Sequence, residues 1–264
     1  MLIICNGVFK SGSTWLHAIV TELLFLRNIR LSRIDEKYTN NVKSPTSIVE
    51  SKFLEFLENE DFSQNNYINK SHFFSEKVIN KVYPDSVIFL FSVRNIKDSI
   101  VSHYFHTKSK YIIFSNFNFY YWTIGRLKAY EIISYNFKYK NSFSSELFFN
   151  FSDFKNDFDQ TIRRIADVLK LEPLTDQEVS TIKSKTSIKN MRNNIVSGKT
   201  HYYSTVKSDR YKLIRHGKIG ESKYFFNNKK STDIKNLNNF QASVFLKIIY
   251  FFLFTFRRKI LKIE

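Results

Sequence analysis

Leu2-Ile3-Ile4-Cys5-Asn6-Gly7-Val8-Phe9-Lys10-Ser11-Gly12-Ser13-Thr14-Trp15-Leu16 is the stretch on which the fold turns. It begins with a short apolar run, passes through a polar loop holding two glycines, and enters a segment in which Leu16, Ile19, Val20 and Leu23 recur at helical spacing. A continuous apolar run of this length suits a strand buried on both faces. Small residues in the loop let the backbone approach an anion closely, and the helix that follows offers free N–H groups and the positive end of its dipole. The ATP-splitting pattern G-x-x-x-x-G-K-[ST] matches at Gly7 and Gly12, but Ser13 stands where its lysine belongs. The cation comes earlier, at Lys10. Such a loop suits an anion with one phosphate and sets a positive charge beside its bridging oxygen; a plain strand-to-helix turn is the alternative.

Outward from this loop, further short apolar runs lie at Tyr67–Lys70, Ser86–Val93 and Glu146–Phe151, and helical patterns fall between them. Phe158, Ile162, Ile165 and Leu169 form one such pattern after the last run. This alternation predicts an α/β fold: a P-loop-like, three-layer α/β/α arrangement with a central parallel sheet. No Pro/Gly/Ser-rich linker or internal repeat divides the 264 residues, so one domain spanning 1–264 is expected. In open sheets of this kind ligands sit at the carboxyl ends of the strands, which makes the loops after each strand the candidate site.

The 41 Lys and Arg against 24 Asp and Glu leave a net charge of +17, which favours anionic partners. The single cysteine, Cys5, excludes an intrachain disulfide and a Cys-based zinc site, and a reducing compartment follows as the simpler expectation. At the other end, Val244 to Phe256 is apolar, interrupted by Lys247 and closed by Arg257, Arg258 and Lys259. It falls short of the roughly 20 residues a spanning helix needs. The stretch 239–264 therefore reads as a C-terminal helix that is either buried or laid on an anionic membrane surface.

Lys10-Ser11-Gly12-Ser13-Thr14-Trp15-Leu16 closely resembles the K-S-G-[TS]-T-W-L signature of sulfotransferases that use 3′-phosphoadenosine 5′-phosphosulfate (PAPS). Three more segments resemble that family in order. Lys70-Ser71-His72 is similar to K-[TS]-H-L-P, Arg94-Asn95-Ile96-Lys97-Asp98 through Ser102 to R-N-P-x-D-x-x-x-S, and Arg215-His216-Gly217 through Glu221 to R-K-G-x-x-G-[DE]. Weaker echoes are Phe151-Ser152-Asp153-Phe154-Lys155, set against Y-E-D-L-K, and Thr186-Ser187-Ile188 through Asn194, set against T-S-F-x-x-M-[KR]-x-N. Departures are Phe9, Ile96 and Phe73-Phe74 in place of family residues around prolines, His216 for a lysine, Ser222 for a tryptophan, Phe151 for a tyrosine and Ile188 for an aromatic ring.

The resemblance implies a PAPS-dependent sulfotransferase that leaves adenosine 3′,5′-bisphosphate (PAP) and uses no metal. It implies that Lys10, Ser11, Gly12, Ser13 and Thr14 wrap the 5′-phosphosulfate and that Trp15 stacks on adenine. Arg94 and Ser102 would hold the 3′-phosphate, joined by Arg215, His216 and Gly217, with Phe151, Thr186 and Ile188 on the adenine side. His72 would be the catalytic base, assisted by Lys70, and Lys10 and Ser102 would act at the leaving group. The acceptor is expected to be the hydroxyl of a glycan, glycolipid or small alcohol or phenol, with its pocket built from variable loops at Ile34–Glu60 and His103–Tyr139. No nucleic-acid partner is expected, and the location is expected to be cytoplasmic, peripheral to a membrane if the C-terminal helix lies on one. Two rivals stand beside this reading: a P-loop kinase of a small metabolite, and a polyanion-binding protein without catalysis.

Overall fold

The structure, a computed structural model, describes residues 1–39, 47–109, 111–196, 217–239 and 244–256. In chain order its elements are β1 (Leu2–Asn6), α1 (Ser13–Leu26), α2 (Phe53–Asn59), β2 (Tyr67–Ser71), α3 (Glu76–Ile79), β3 (Val87–Val93), α4 (Ile96–Lys108), α5 (Phe117–Tyr120), α6 (Arg126–Ser142), β4 (Phe148–Asn150), α7 (Asp153–Asn156), α8 (Phe158–Val168), α9 (Asp176–Lys185), α10 (Ile188–Val196), α11 (Asn228–Asn238) and α12 (Val244–Tyr250). The four runs predicted as strands are β1 to β4; β1 keeps its predicted bounds, and β4 is shorter than the apolar run that announced it. The described residues group into two compact units, one of 1–94 with 139–217 and one of 95–138 with 218–264.

The first unit holds the sheet. Its order is β2-β1-β3-β4 and every pairing is parallel. Alternation along the strands divides the side chains between two faces. Ile3, Cys5, Ile68, Leu90 and Phe149 point to one face, where they pack with Leu16, Ile19 and Leu23 of α1, Ile162 and Ile165 of α8, and Val179 and Ile182 of α9. The other face is aromatic: Phe89 and Phe91 meet Phe143, and Phe91 stacks on Phe148 and packs against Tyr139. Phe53 joins Phe73, Tyr83 and Phe89 on that side. Part of the abundant phenylalanine is thus core material.

In the second unit Tyr104 of α4 packs against Phe117, Tyr120 and Phe225. Asp98, buried in the first turn of α4, accepts from the backbone N–H groups of Gly220 (2.8 Å) and Ser222 (3.0 Å). Asp233 of α11 ties down α6 and the turn before it, pairing with Arg126 at 2.8 Å and accepting from the Tyr121 hydroxyl at 2.8 Å. The stretch His103–Tyr139, expected as loop, is largely helical: it comprises the end of α4, α5, a π-helical turn at Tyr121–Gly125 and most of α6. Its aromatic residues recur at spacings that close rings onto one another within the unit, which is why they order into helices.

The C-terminal apolar stretch forms α12 and a following π-helical segment, Phe251–Phe256. Leu246 is buried and Tyr250 packs edge-on against Tyr130 of α6, but Val244, Phe245, Ile248, Phe251, Phe252 and Leu253 are exposed. Among the described residues no helix is long and apolar enough to cross a membrane. The basic residues from Arg257 onward lie outside the described residues.

Candidate active site

The loop between β1 and α1 is shaped by close packing. A Cβ on Gly7 would stand 2.3 Å from the Ser92 hydroxyl and 2.5 Å from that of Ser11, so no larger residue fits. Ser11 is fully buried and its hydroxyl shares a 2.8 Å hydrogen bond with Ser92 of β3. Lys10 takes the left-handed backbone conformation (φ 61), which turns the chain so that Gly12 can begin the helix. Gly12, at φ 108, caps α1 with no side chain, and the first turn holds no acidic residue. The first N–H groups of a helix have no acceptor within it. Here the helix's positive end is left uncompensated by its own residues, an arrangement that favours an external anion.

His72 follows β2 and reaches back to this loop. Asn6, at the end of β1, fixes the turn that carries it: its Oδ1 accepts from the Ser71 hydroxyl (3.2 Å) and the Phe73 N–H (3.0 Å). The imidazole Nδ1 is hydrogen-bonded to the carbonyl of Gly7. A carbonyl can only accept, so Nδ1 carries the proton and the neutral ring keeps its lone pair on Nε2. That tautomer can receive a proton from a ligand. Lys70, two residues earlier on β2, pairs in register with Cys5. Burial first, and then the nearby charge of Lys70, holds His17 of α1 down at about 3, and burial raises the Cys5 thiol well above its ordinary range. Cys5 is therefore an inert core residue.

A second group of sequence-predicted residues meets at the end of β3 and the start of α7. The Arg94 guanidinium lies 4.3 Å from the centre of the Phe151 ring, and the Phe151 N–H donates to the carbonyl of Val93 at 2.8 Å. Phe151 touches Trp15 edge-on at 5.6 Å and fills the space where a side chain on Gly12 would stand. Ile188, at the start of α10, packs against Gly217, whose φ is 57. Thr186 is buried and its hydroxyl donates to the carbonyl of Ile182 at 2.8 Å, so it closes α9. Gly12, Trp15, Arg94, Phe151, Ile188 and Gly217 thus come within one unit. Ser102 belongs to the second unit, on α4, where it is buried. Arg215 and His216 lie outside the described residues.

The sequence reading passed over three side chains. Ser92 is the one polar residue in the apolar run of β3, a signal that was available. Asn6, which ends β1, carries no local signal because its partners are distant in sequence. Lys155, whose Nζ sits 5.0 Å over the Trp15 ring, closes the segment set against Y-E-D-L-K, but nothing local points to that ring. Among the described residues no group of three or more His, Cys, Asp or Glu side chains is arranged to hold a metal ion.

The carboxyl ends of the strands of this parallel α/β sheet thus carry an uncapped helix end, a lysine-bearing loop and a histidine held against that loop. A protein-family model described as the sulfotransferase domain matches residues 2–242, and the chain belongs to that family. This sets aside the small-metabolite kinase, in agreement with Ser13 at the kinase lysine position. Three solved structures share the fold. A mouse sulfotransferase, SULT7A1, complexed with PAP aligns with a TM-score of 0.64 at 18% identity over 94% of this chain and 86% of its own. Retinol dehydratase in complex with androsterone and the inactive cofactor PAP aligns at 0.60 and 16% identity, covering 92% and 80%. The same enzyme with retinol and PAP aligns at 0.57 and 15%, covering 92% and 81%. No curated protein matches the sequence.

Proposed function

We propose that the chain acts as one sulfotransferase domain that moves a sulfuryl group from PAPS to an acceptor hydroxyl, with His72 as the base. The observation that carries this reading is the Nδ1 bond from His72 to the Gly7 carbonyl, which holds the imidazole against the same loop that contains Lys10 and the open end of α1. The residues fit a phosphosulfate. Gly7 and Gly12 let the loop pack tightly against Ser92 and Phe151, no acid opposes the anion in the first turn of α1, and Arg94 offers a planar fork suited to a phosphate.

When bound, PAPS supplies an activated sulfuryl group whose leaving atom is the oxygen bridging to the 5′-phosphate. His72 Nε2 takes the acceptor's hydroxyl proton as the new O–S bond forms, which spares an alcohol of high pKa from ionising alone. Lys10 and the N–H groups of Ser13 and Thr14 stabilise the electron pair that the bridging oxygen keeps as its bond to sulfur breaks. Lys70 neutralises charge on the transferring group. Trp15, Phe151, Thr186 and Ile188 form the adenine side, and Arg94, Ser102, Arg215, His216 and Gly217 grip the 3′-phosphate. A metal has no step to perform, since fixed cations meet the developing charge.

The acceptor is a small molecule or glycan carrying a hydroxyl. The small apolar alcohols androsterone and retinol in related structures support that class. A cytoplasmic setting agrees with the lone, buried Cys5. The exposed apolar side of α12, next to Lys247 and the Arg257-Arg258-Lys259 run, supports peripheral attachment to an anionic membrane.

The test is transfer of label from ³⁵S-PAPS to pooled carbohydrates, phenols, sterols and amines, with the His72→Ala variant alongside. Wild-type protein should label a hydroxyl pool, and His72→Ala should lose on the order of 10²–10⁴ in rate while still binding PAP. Full activity in the variant places the base elsewhere. Hydrolysis of ATP without any sulfuryl transfer overturns the reading.

A further inference from the structure

Two cations converge beside Trp15 and Phe151 from elements far apart in sequence. Arg94 comes from the end of β3 and lies against Phe151. Lys155 comes from α7. Its Nζ lies 5.0 Å from the Trp15 ring centre and 3.5 Å from the point where a Cβ on Gly217 would stand. Gly217, at φ 57, thus packs within contact range of the lysine, with Ile188 against it as well. Partial burial, and next the charge of Arg94, lowers the proton affinity of Lys155 below the usual lysine range. Among the described residues no carboxylate pairs with Lys155.

Like charges brought together repel, and aromatic faces compensate only in part. A surface lysine with nothing to do would turn into solvent, where its ammonium is fully hydrated. This one instead lies over a ring beside a second cation. The complement of such a pair is a compact dianion, for which arginine supplies a planar fork and lysine a point charge.

We propose that Arg94 and Lys155 form a two-cation seat for one phosphate dianion of the bound nucleotide, and that Lys155 is a binding residue for the phosphate that distinguishes PAP from adenosine 5′-phosphate. This rests on the donor reading above and adds a residue to it. Lys155 is a binding group and not a proton carrier, so its removal acts on nucleotide affinity and leaves the base and the leaving-group lysine in place.

The experiment is calorimetric titration of PAP and of adenosine 5′-phosphate into wild-type, Lys155→Met and Lys155→Arg proteins at one salt concentration. Loss of a charge-assisted contact should weaken PAP by about 10–100-fold in Lys155→Met. Affinity for adenosine 5′-phosphate should stay unchanged, and Lys155→Arg should keep most of the PAP affinity. Unchanged PAP binding in Lys155→Met overturns the proposal, as does an equal loss for both nucleotides. If Lys155→Met does not fold, Lys155→Gln decides: a loss confined to PAP supports the seat, and unchanged PAP binding or a loss shared by both nucleotides refutes it. A wild-type protein that binds neither nucleotide removes the donor reading itself, whereas PAP binding that is indifferent to Lys155 removes only this seat.

Discussion

Helices α1 and α12 look alike in the sequence and end in opposite situations. Each is a short run rich in Leu, Ile, Val and Phe, beginning close to small polar residues. Nine of the fourteen residues of α1 are buried, including His17 and Thr21. In α12 only Leu246 is buried, while Val244 and Phe245 remain 71% and 72% exposed. The difference lies in what each helix finds next to it. Strand β1 leads straight into α1 and the sheet covers its apolar face, with α8 and α9 closing the sides. Helix α12 meets the aromatic side of α6 at Tyr130 but keeps most of its own apolar side chains exposed. Apolar patterning thus says that a surface will be covered and not by what. For α1 the cover is the protein's own core. For α12 the cover proposed above is an anionic membrane.

The largest expected effect in this comparison comes from the cap of α1. Gly12→Ala would place a Cβ 2.7 Å from the Phe151 ring at a φ of 108. Overpacking of this kind costs about 1–3 kcal/mol. A non-glycine residue in strained backbone adds about 1–3 kcal/mol. Chemical denaturation should show the combined loss, and PAP binding should fall with it because Phe151 and Arg94 move together. A variant as stable as wild type would mean that the loop has slack which the packing denies.

A smaller effect tests the depth of α1. His17 is neutral when folded, with its pKa held at about 3 by burial and by Lys70. An unfolded histidine titrates near its ordinary value of about 6.5. The unfolded chain therefore binds the extra proton first, and stability present above about pH 6.5 is lost as the pH falls toward 3, by on the order of a few kcal/mol. Denaturation curves of wild-type protein between pH 7 and 4 should slope more steeply than those of His17→Gln. Parallel slopes would show that the imidazole is open to water.

The smallest effect concerns the exposed apolar surface of α12 and the π-helical segment that follows it. Phe252→Ser should reduce sedimentation with vesicles of 30% phosphatidylserine by about tenfold, in line with partial burial of one aromatic side chain. Melting temperature and PAP binding should not change. Equal binding to neutral phosphatidylcholine vesicles, or indifference to the substitution, would assign the exposed face to something other than an anionic membrane.

Much of the site was legible because its chemistry is local. Lys10, His72 and Arg94 each follow a short apolar run that proved to be a strand, and a parallel sheet gathers such loops at one edge. The contact between Ser11 and Ser92, the Phe151 ring above Gly12, and the approach of Lys155 to Trp15 and Gly217 were not legible. Each joins residues tens of positions apart, and no spacing rule covers them. The same holds for the aromatic residues of His103–Tyr139, whose clustering turned an expected loop into helices.

The sequence alone determined the element types, the parallel alternation, the displaced lysine and the family signature, because these depend on residue order within one strand, loop or helix. Only the tertiary structure decided the order β2-β1-β3-β4, the tautomer of His72 and the meeting of two cations beside Trp15. Those depend on which distant surfaces exclude water together, and burial is a property of the packed chain rather than of any segment of it.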